Sequence, residues 1–367
     1  MAHEFGWQRL CSEYSPQEAG PIYRRLNPTS RQWSSFLLDV LAPGNRQSHH
    51  FAPTERFQRE PGGETANVAM MERSADPAAS KSNGVVDLRV GCEIRLALPA
   101  PVHAVMQVEP RPDGSRMVDE TWVVEPASPS RSYSDTYGNR CRRMDLPAGV
   151  TSIRYTARVE VPDVADVLNP EAWEVSASDL PDETLIYTLP SRYCESDRLA
   201  DVAWSLFGGI APGYQRVQAI CDWVHENITF VTGISTSLTG AIDVYDMRAG
   251  VCRDFAHLAV SFCRAFSIPA RYCFGYLPDI GLAELPDEPM DFCAWIETYI
   301  GGRWYTFDPR LNTARLGRVL IGRGRDALDV AMLTTFGASP LEAMRVIAEP
   351  FDAPSPETRP VVGAFEQ

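Results

Sequence analysis

The chain has 367 residues, 44% of them hydrophobic and 22% charged, with a formal net charge of −14 and a pI near 4.9. That length supports two domains with separate cores. The acidic balance excludes nucleic acid as a general partner and disfavours an anionic membrane surface, since both require a basic face.

Residues 1–83 include "APGNRQSHHFAPTERFQREPGGETANVAMMERSADPAASKSNG", rich in Pro, Gly, Ser and charge and without periodicity. This composition predicts a disordered N-terminal extension. The first twenty residues lack a basic segment followed by an apolar one, and no run of eighteen apolar residues occurs anywhere. The expectation is a cytoplasmic protein with no membrane partner. Nine cysteines, at 11, 92, 141, 194, 221, 252, 263, 273 and 293, form no C-x-x-C pair. Neither a disulfide framework nor a zinc ribbon is suggested, and no metal or other cofactor is expected.

From 84 to 192 the texture changes to period two. "VVDLRVGCEIRLAL", "VHAVMQVEP", "RMVDETWVVEP" and "VTSIRYTARVEVP" are β-rich runs separated by Pro, Gly and Asp, which predicts an N-terminal β-sandwich-like domain. From 193 to 348 the pattern is α+β, and 349–367 reads as a tail. In "YQRVQAICDWVHENITF", Val217, Ile220, Cys221, Val224 and Ile228 share a helical stripe, with His225 off it on the surface. In "CRDFAHLAVSFCRAF", Phe255, Leu258, Ala259, Phe262, Cys263 and Phe266 mark a second helix, punctuated by Gly250 before and Pro269 after. Three strands follow: "ARYCFGYL", "FCAWIETYI" and "RWYTFDP".

Cys252 opens the second helix, where unpaired N–H groups and the macrodipole are expected to lower a thiol pKa and to receive an oxyanion. "TYI-GG-RWY" predicts a two-residue hairpin turn pairing Ile300 with Arg303. In that register Trp295 opposes Asp308 and Cys293 opposes Arg310. Cys293 and Asp308 become diagonal neighbours on one face, with Cβ atoms roughly 6–8 Å apart. A group on one strand oriented by an acid on the next, both facing a helix-initial cysteine, is the arrangement of nucleophile, base and orienter. At the base position, however, stands a thiol.

"RAGVCRDFAHL", "SIPARYCFGYL" and "DFCAWIETYIGGRWYTFDPR" resemble the transglutaminase-like superfamily, in its bacterial branch with an N-terminal β domain. So do "YSDTYGNRCRRMDLPAG" and "RLGRVLIGRGRDALDVAMLTTFG", and the resemblance spans about residues 84–348. It implies a papain-like α+β core and a Cys–His–Asp triad processing a peptide or protein amide by hydrolysis or acyl transfer. Carried over, Cys252 matches the nucleophile and Asp308 the orienting acid, while Cys293 occupies the place of the histidine.

The six histidines lie at 3, 49, 50, 103, 225 and 257. His257, five residues after Cys252, points about 140° away on a regular helix, which suggests a structural role. His103 belongs to the β domain. Three readings remain open: amide processing by Cys252 with an altered triad, a pseudoenzyme that binds a peptide or amide, or a Cys252/Cys293 redox or metal site. The segment "FVTGISTSLTGAIDVYD" is the expected source of an oxyanion side-chain donor. Arg310, Arg315, Arg318, Arg323 and Arg325 are expected to pair with nearby acids such as Asp326 and Asp329. Trp295 and Trp304 are expected mainly to pack.

Overall fold

A computed structural model describes residues 84–282 and 289–353. The predicted disordered extension over 1–83 and most of the tail lie outside the described residues.

Alternation of apolar and polar residues builds the first half. β1 (Val85–Leu98), β2 (Val102–Met106), β3 (Arg116–Glu125), β4 (Ser130–Ser134), β5 (Arg140–Leu146) and β6 (Gly149–Pro162) all precede the helices. On β1 the side chains of Leu88, Val90, Cys92, Ile94, Leu96 and Leu98 are buried, and on β6 those of Ile153, Tyr155, Ala157, Val159 and Val161. Both sets have the period of two that puts one face inward. They meet Val102, Ala104, Met106, Met144 and Leu146 of the facing sheet in one apolar cluster. This is the expected sandwich.

Four helices of the second half lead into its sheet. They are α1 (Asp182–Leu185), α2 (Ala200–Phe207), α3 (Tyr214–Asn227) and α4 (Ala241–Met247), with short β7 (Thr229–Phe230) and β8 (Ala249–Gly250) pairing in parallel. α5 (Cys252–Ala265) then precedes β9 (Ala270–Tyr276), β10 (Cys293–Ile300), β11 (Arg303–Phe307) and β12 (Val319–Gly324). These four strands form an antiparallel sheet in the order β11-β10-β9-β12. α5 lies against β9 and β10 on one side and against α2, α3 and α4 on the other. Every residue from Asp254 to Arg264 is therefore buried, not the predicted stripe alone. The result is an α+β, papain-like core behind a β-sandwich.

The last strands return to the sandwich. β13 (Leu333–Thr335) and β14 (Leu341–Pro350) give sheet orders β14-β1-β6-β3 and β13-β2-β5-β4, so part of the stretch following the core strands completes the β half. "YSDTYGNRC" joins the halves. Asp135 Oδ1 accepts the backbone N–H groups of Tyr137 (2.9 Å) and Asn139 (2.8 Å), closing the turn. Asn139 then donates through Nδ2 to the Arg323 carbonyl on β12 (2.9 Å) and accepts from the Arg323 N–H (2.9 Å). An asparagine amide satisfies both groups of a backbone unit, which explains that residue type here. Among the described residues no helix is long and apolar enough to cross a membrane.

Candidate active site

The turn before α5 is built around Asp254. Its carboxylate is fully buried and accepts the Val251 N–H (2.9 Å), the Ser235 hydroxyl and both Nε (3.0 Å) and Nη2 (2.9 Å) of Arg253. Gly250 makes room for it: a Cβ there would sit 2.7 Å from the Asp254 Cβ. The G-V-C-R-D run is thus a helix start in which the third helical residue caps the first turn and Cys252 is delivered as the first helical residue.

The Cys252 side chain is half-buried against the entry of β10. Its thiol faces the Phe292 carbonyl, 3.8 Å from Sγ, and the backbone N–H groups of Ala294 and Arg253 favour its ionised form. Burial nevertheless pushes its pKa up to about 11, with Asp291 adding in the same direction; Arg310 and the two amides offset this only partly. The sequence-based expectation of a lowered pKa is therefore corrected. A helix terminus contributes about 0.3–1 kcal/mol, less than desolvation costs here, and the resting thiol is neutral.

Cys293 begins β10. The hairpin register is as predicted: Ile300 pairs with Arg303 and Ile296 with Phe307. Gly301 (φ 56°) and Gly302 (φ 78°) supply the two positive φ angles that such a turn requires. Cys293 is half-buried, and its thiol faces the Asp291 carbonyl at 3.9 Å. Burial raises its pKa, and the proximity of Cys252 and Asp308 raises it further. The structure thus brings Cys252, Cys293 and Asp308 into one cluster, with no ionised thiol among them at neutral pH.

Asp308 is engaged. Oδ1 accepts the N–H groups of Arg310 (3.1 Å) and Leu311 (2.9 Å), and Oδ2 pairs with Arg318 Nη2 at 3.0 Å. Arg318 also reaches Asp166 through Nε (2.9 Å), and its guanidinium lies over Trp295, 5.0 Å from the ring centroid. Burial disfavours the charge on Arg318, but Asp308 and Asp166 outweigh it and raise the guanidinium pKa. Arg325 does pair with Asp329 (2.9 Å), as expected of a local partner, whereas Arg318 bridges to a residue far away in sequence. Sequence spacing holds no signal for that bridge. Trp295 is buried and Trp304 packs edge-on against Tyr187 and Tyr299, both as expected.

No other imidazole takes the base position among the described residues. His257 is fully buried, stacked on Tyr193, and accepts the Ala327 N–H through Nε2 (3.1 Å). Burial pushes its pKa down to about 3, so it is neutral. His103 sits between Asp145 and Arg143 on the sandwich, and exposed His225 contacts the Arg310 carbonyl at 2.7 Å. In the loop expected to give an oxyanion donor, the Ser235 hydroxyl goes to Asp254 and the Thr236 carbonyl to Arg253. Those contacts anchor the loop to the start of α5. No group of three or more His, Cys, Asp or Glu side chains among the described residues is arranged to hold a metal.

Comparison with known proteins bears on the family and the fold. The sequence model of the Transglutaminase-like superfamily matches residues 200–309, a span containing Cys252, Cys293 and Asp308. The 1.9 Å crystal structure of "a Putative Cysteine Protease from Cytophaga hutchinsonii" is 34% identical with a TM-score of 0.67, covering 74% of this chain and 92% of that one. An uncharacterized protein of Mycobacterium leprae is 29% identical over 219 residues, covering 57% of this chain and 76% of its own. One from Mycobacterium tuberculosis is 28% identical over 242 residues, covering 59% and 76%. The chain belongs to the transglutaminase-like superfamily.

Proposed function

We propose that this protein processes peptide or protein amides through Cys252, in attenuated form because Cys293 replaces the general base. The observation that carries the reading is the placement of Cys252. Its thiol is half-exposed at the head of α5, is faced by the N–H groups of Ala294 and Arg253, and adjoins Cys293, which in turn lies near Asp308. In the reaction the sulfur bonds to the carbonyl carbon and the C–N bond breaks. The thiol proton passes through water to the departing amine. Water or a second amine then releases the acyl group, giving hydrolysis or transfer. Loss of the base costs about 10²–10⁴-fold, which leaves backbone donors and positioning as the source of rate.

The test is acylation by p-nitrophenyl acetate and by a peptide anilide, followed by intact-protein mass. The reading expects an acyl adduct on Cys252 whose rate of formation climbs with pH, and none in Cys252→Ser. Equal acylation in that variant would reject it. A second reading, a cleft that binds an amide without turnover, is favoured by the neutral thiols and by the commitment of Asp308 to Arg318. Peptide affinity unchanged in Cys252→Ala, together with no adduct in the native protein, would select it. A third reading, a redox role for Cys252 and Cys293, would start from the two free thiols and would be selected by a crosslink between them on mild oxidation.

A further inference from the structure

We infer that the sandwich carries a second binding site, for a small carboxylate bearing an apolar group, gripped by Arg131 and Arg143 and flanked by Tyr133 and Phe336. The site shares no residue with the Cys252 cluster, so it does not depend on the reading of Cys252 as a reactive thiol.

The strand register sets up the charges. β4 pairs with β5 so that Arg131 stands directly opposite Arg143, and β2 pairs with β5 so that Val105 stands opposite Arg143 on its other side. Residues paired in this way have Cβ atoms about 4.5–5.5 Å apart, and like charges there repel. Other arginines of β5 have acid partners: Arg142 pairs with Glu109 (2.9 Å) and Arg140 with Glu120 (2.9 Å). Arg143 instead directs Nε (3.2 Å) and Nη2 (2.6 Å) to His103 Nε2. Neither Arg143 nor Arg131 meets a carboxylate among the described residues. Asp145, the acid on the neighbouring part of β5, is opposite His103 and contacts its Nδ1. That contact leaves His103 Nε2 as the acceptor for Arg143. The Arg143 guanidinium is thereby held in place, and with five N–H donors it keeps most of them for a ligand. In a chain of net charge −14, two facing cations without an acid are what a bound anion would balance.

The shape of the site adds the second half of the ligand. Val105, Arg131, Tyr133, Arg143 and Phe336 line one cleft of about 380 Å³, which falls among small-molecule sites of about 300–1,000 Å³. Phe336 is 61% exposed and Tyr133 38%. Phe336 is nonetheless seated, because its N–H donates to the His103 carbonyl (2.9 Å) and its ring lies 6.1 Å from the imidazole. Guanidinium groups match the paired oxygens of a carboxylate, and the rings beside them suit an apolar group attached to it. A bare inorganic anion would leave those rings in water. A neutral apolar molecule would leave the two arginines facing each other.

The test is isothermal titration calorimetry of the full-length protein with phenylpropionate, phenylpropionamide, inorganic phosphate and acetyl-alanyl-alanyl-phenylalanine. Phenylpropionate is expected to bind at least about tenfold more tightly than its amide or phosphate. Arg131→Gln and Arg143→Gln should each weaken it by about tenfold, and Phe336→Ala should weaken it as well. Tighter binding of the peptide than of phenylpropionate would make a peptide C-terminus the source of the carboxylate. Equal or weaker binding would make the source a free apolar acid, and either result supports the site. No binding of phenylpropionate at millimolar concentration would overturn the inference. Equal affinity for acid and amide, phosphate binding as tight as phenylpropionate, or native affinity in Arg131→Gln would do the same. Arg131 is exposed on an edge strand, so its replacement leaves the core intact. Because its removal relieves like-charge repulsion, the unliganded Arg131→Gln protein should melt no lower than the native one. A lowered Tm would show that Arg131 serves the fold and would count against the site.

Discussion

Placing an imidazole at position 293 by Cys293→His perturbs the site at one position. With the thiol at about pKa 11, only about one Cys252 in a thousand is ionised near pH 8. An imidazolium within reach lowers a thiol pKa by roughly 1–3 units, which would raise alkylation near pH 8 by about 10- to 1,000-fold. Two features hold the gain to the lower part of that range. Arg310 already places a positive charge at the site, which disfavours a second one. Asp308, which should orient the ring, already accepts two backbone N–H groups and Arg318. The expected outcome is a roughly 10- to 100-fold faster reaction of Cys252 near pH 8, accompanied by faster acylation from p-nitrophenyl acetate. Rates of Cys252 alkylation across pH measure it. An unchanged rate in a folded Cys293→His protein would refute the geometry, because it would mean that position 293 does not face Cys252.

Arg318→Met should destabilise the fold by about 3–5 kcal/mol near neutral pH, because it leaves Asp166 and Asp308 buried without their shared cation. Urea titration near neutral pH measures the deficit. A deficit below about 1 kcal/mol contradicts a buried bridge. Gly250→Ala should cost about 1–3 kcal/mol, since the new Cβ meets the Asp254 side chain that caps α5. Thermal melting measures this, and a Tm equal to that of the native protein would show that the turn relaxes freely.

What could be read from sequence was local. Alternation exposed the sandwich strands because one face is buried along each of them. The Gly301-Gly302 turn fixed the hairpin register from Ile300–Arg303 to Ile296–Phe307, and with it the closeness of Cys293 to Asp308, because two-residue turns allow little else. The burial of α5 was underestimated because a helix surrounded by both sheet and helices has no polar face, and periodicity reports only contrast between faces. The rise in the Cys252 pKa was likewise illegible. The helix terminus is visible in sequence, but the desolvation that outweighs it comes from β10, forty residues away. The Asp166–Arg318–Asp308 bridge joins three segments that meet only in the tertiary fold. Asn139 in "YSDTYGNRC" was noticed as a motif, yet its reason, the Arg323 backbone on β12, is equally remote.

The central claim is that burial keeps Cys252 neutral in this protein, with a thiol and not an imidazole at position 293. The pH profile of Cys252 alkylation in the native protein, followed at the peptide level, tests it most directly. The account expects a midpoint near 11 and slow reaction at neutral pH. A midpoint well below the ordinary thiol value of 9.0 would show that the site activates its cysteine without an imidazole, contradicting the claim.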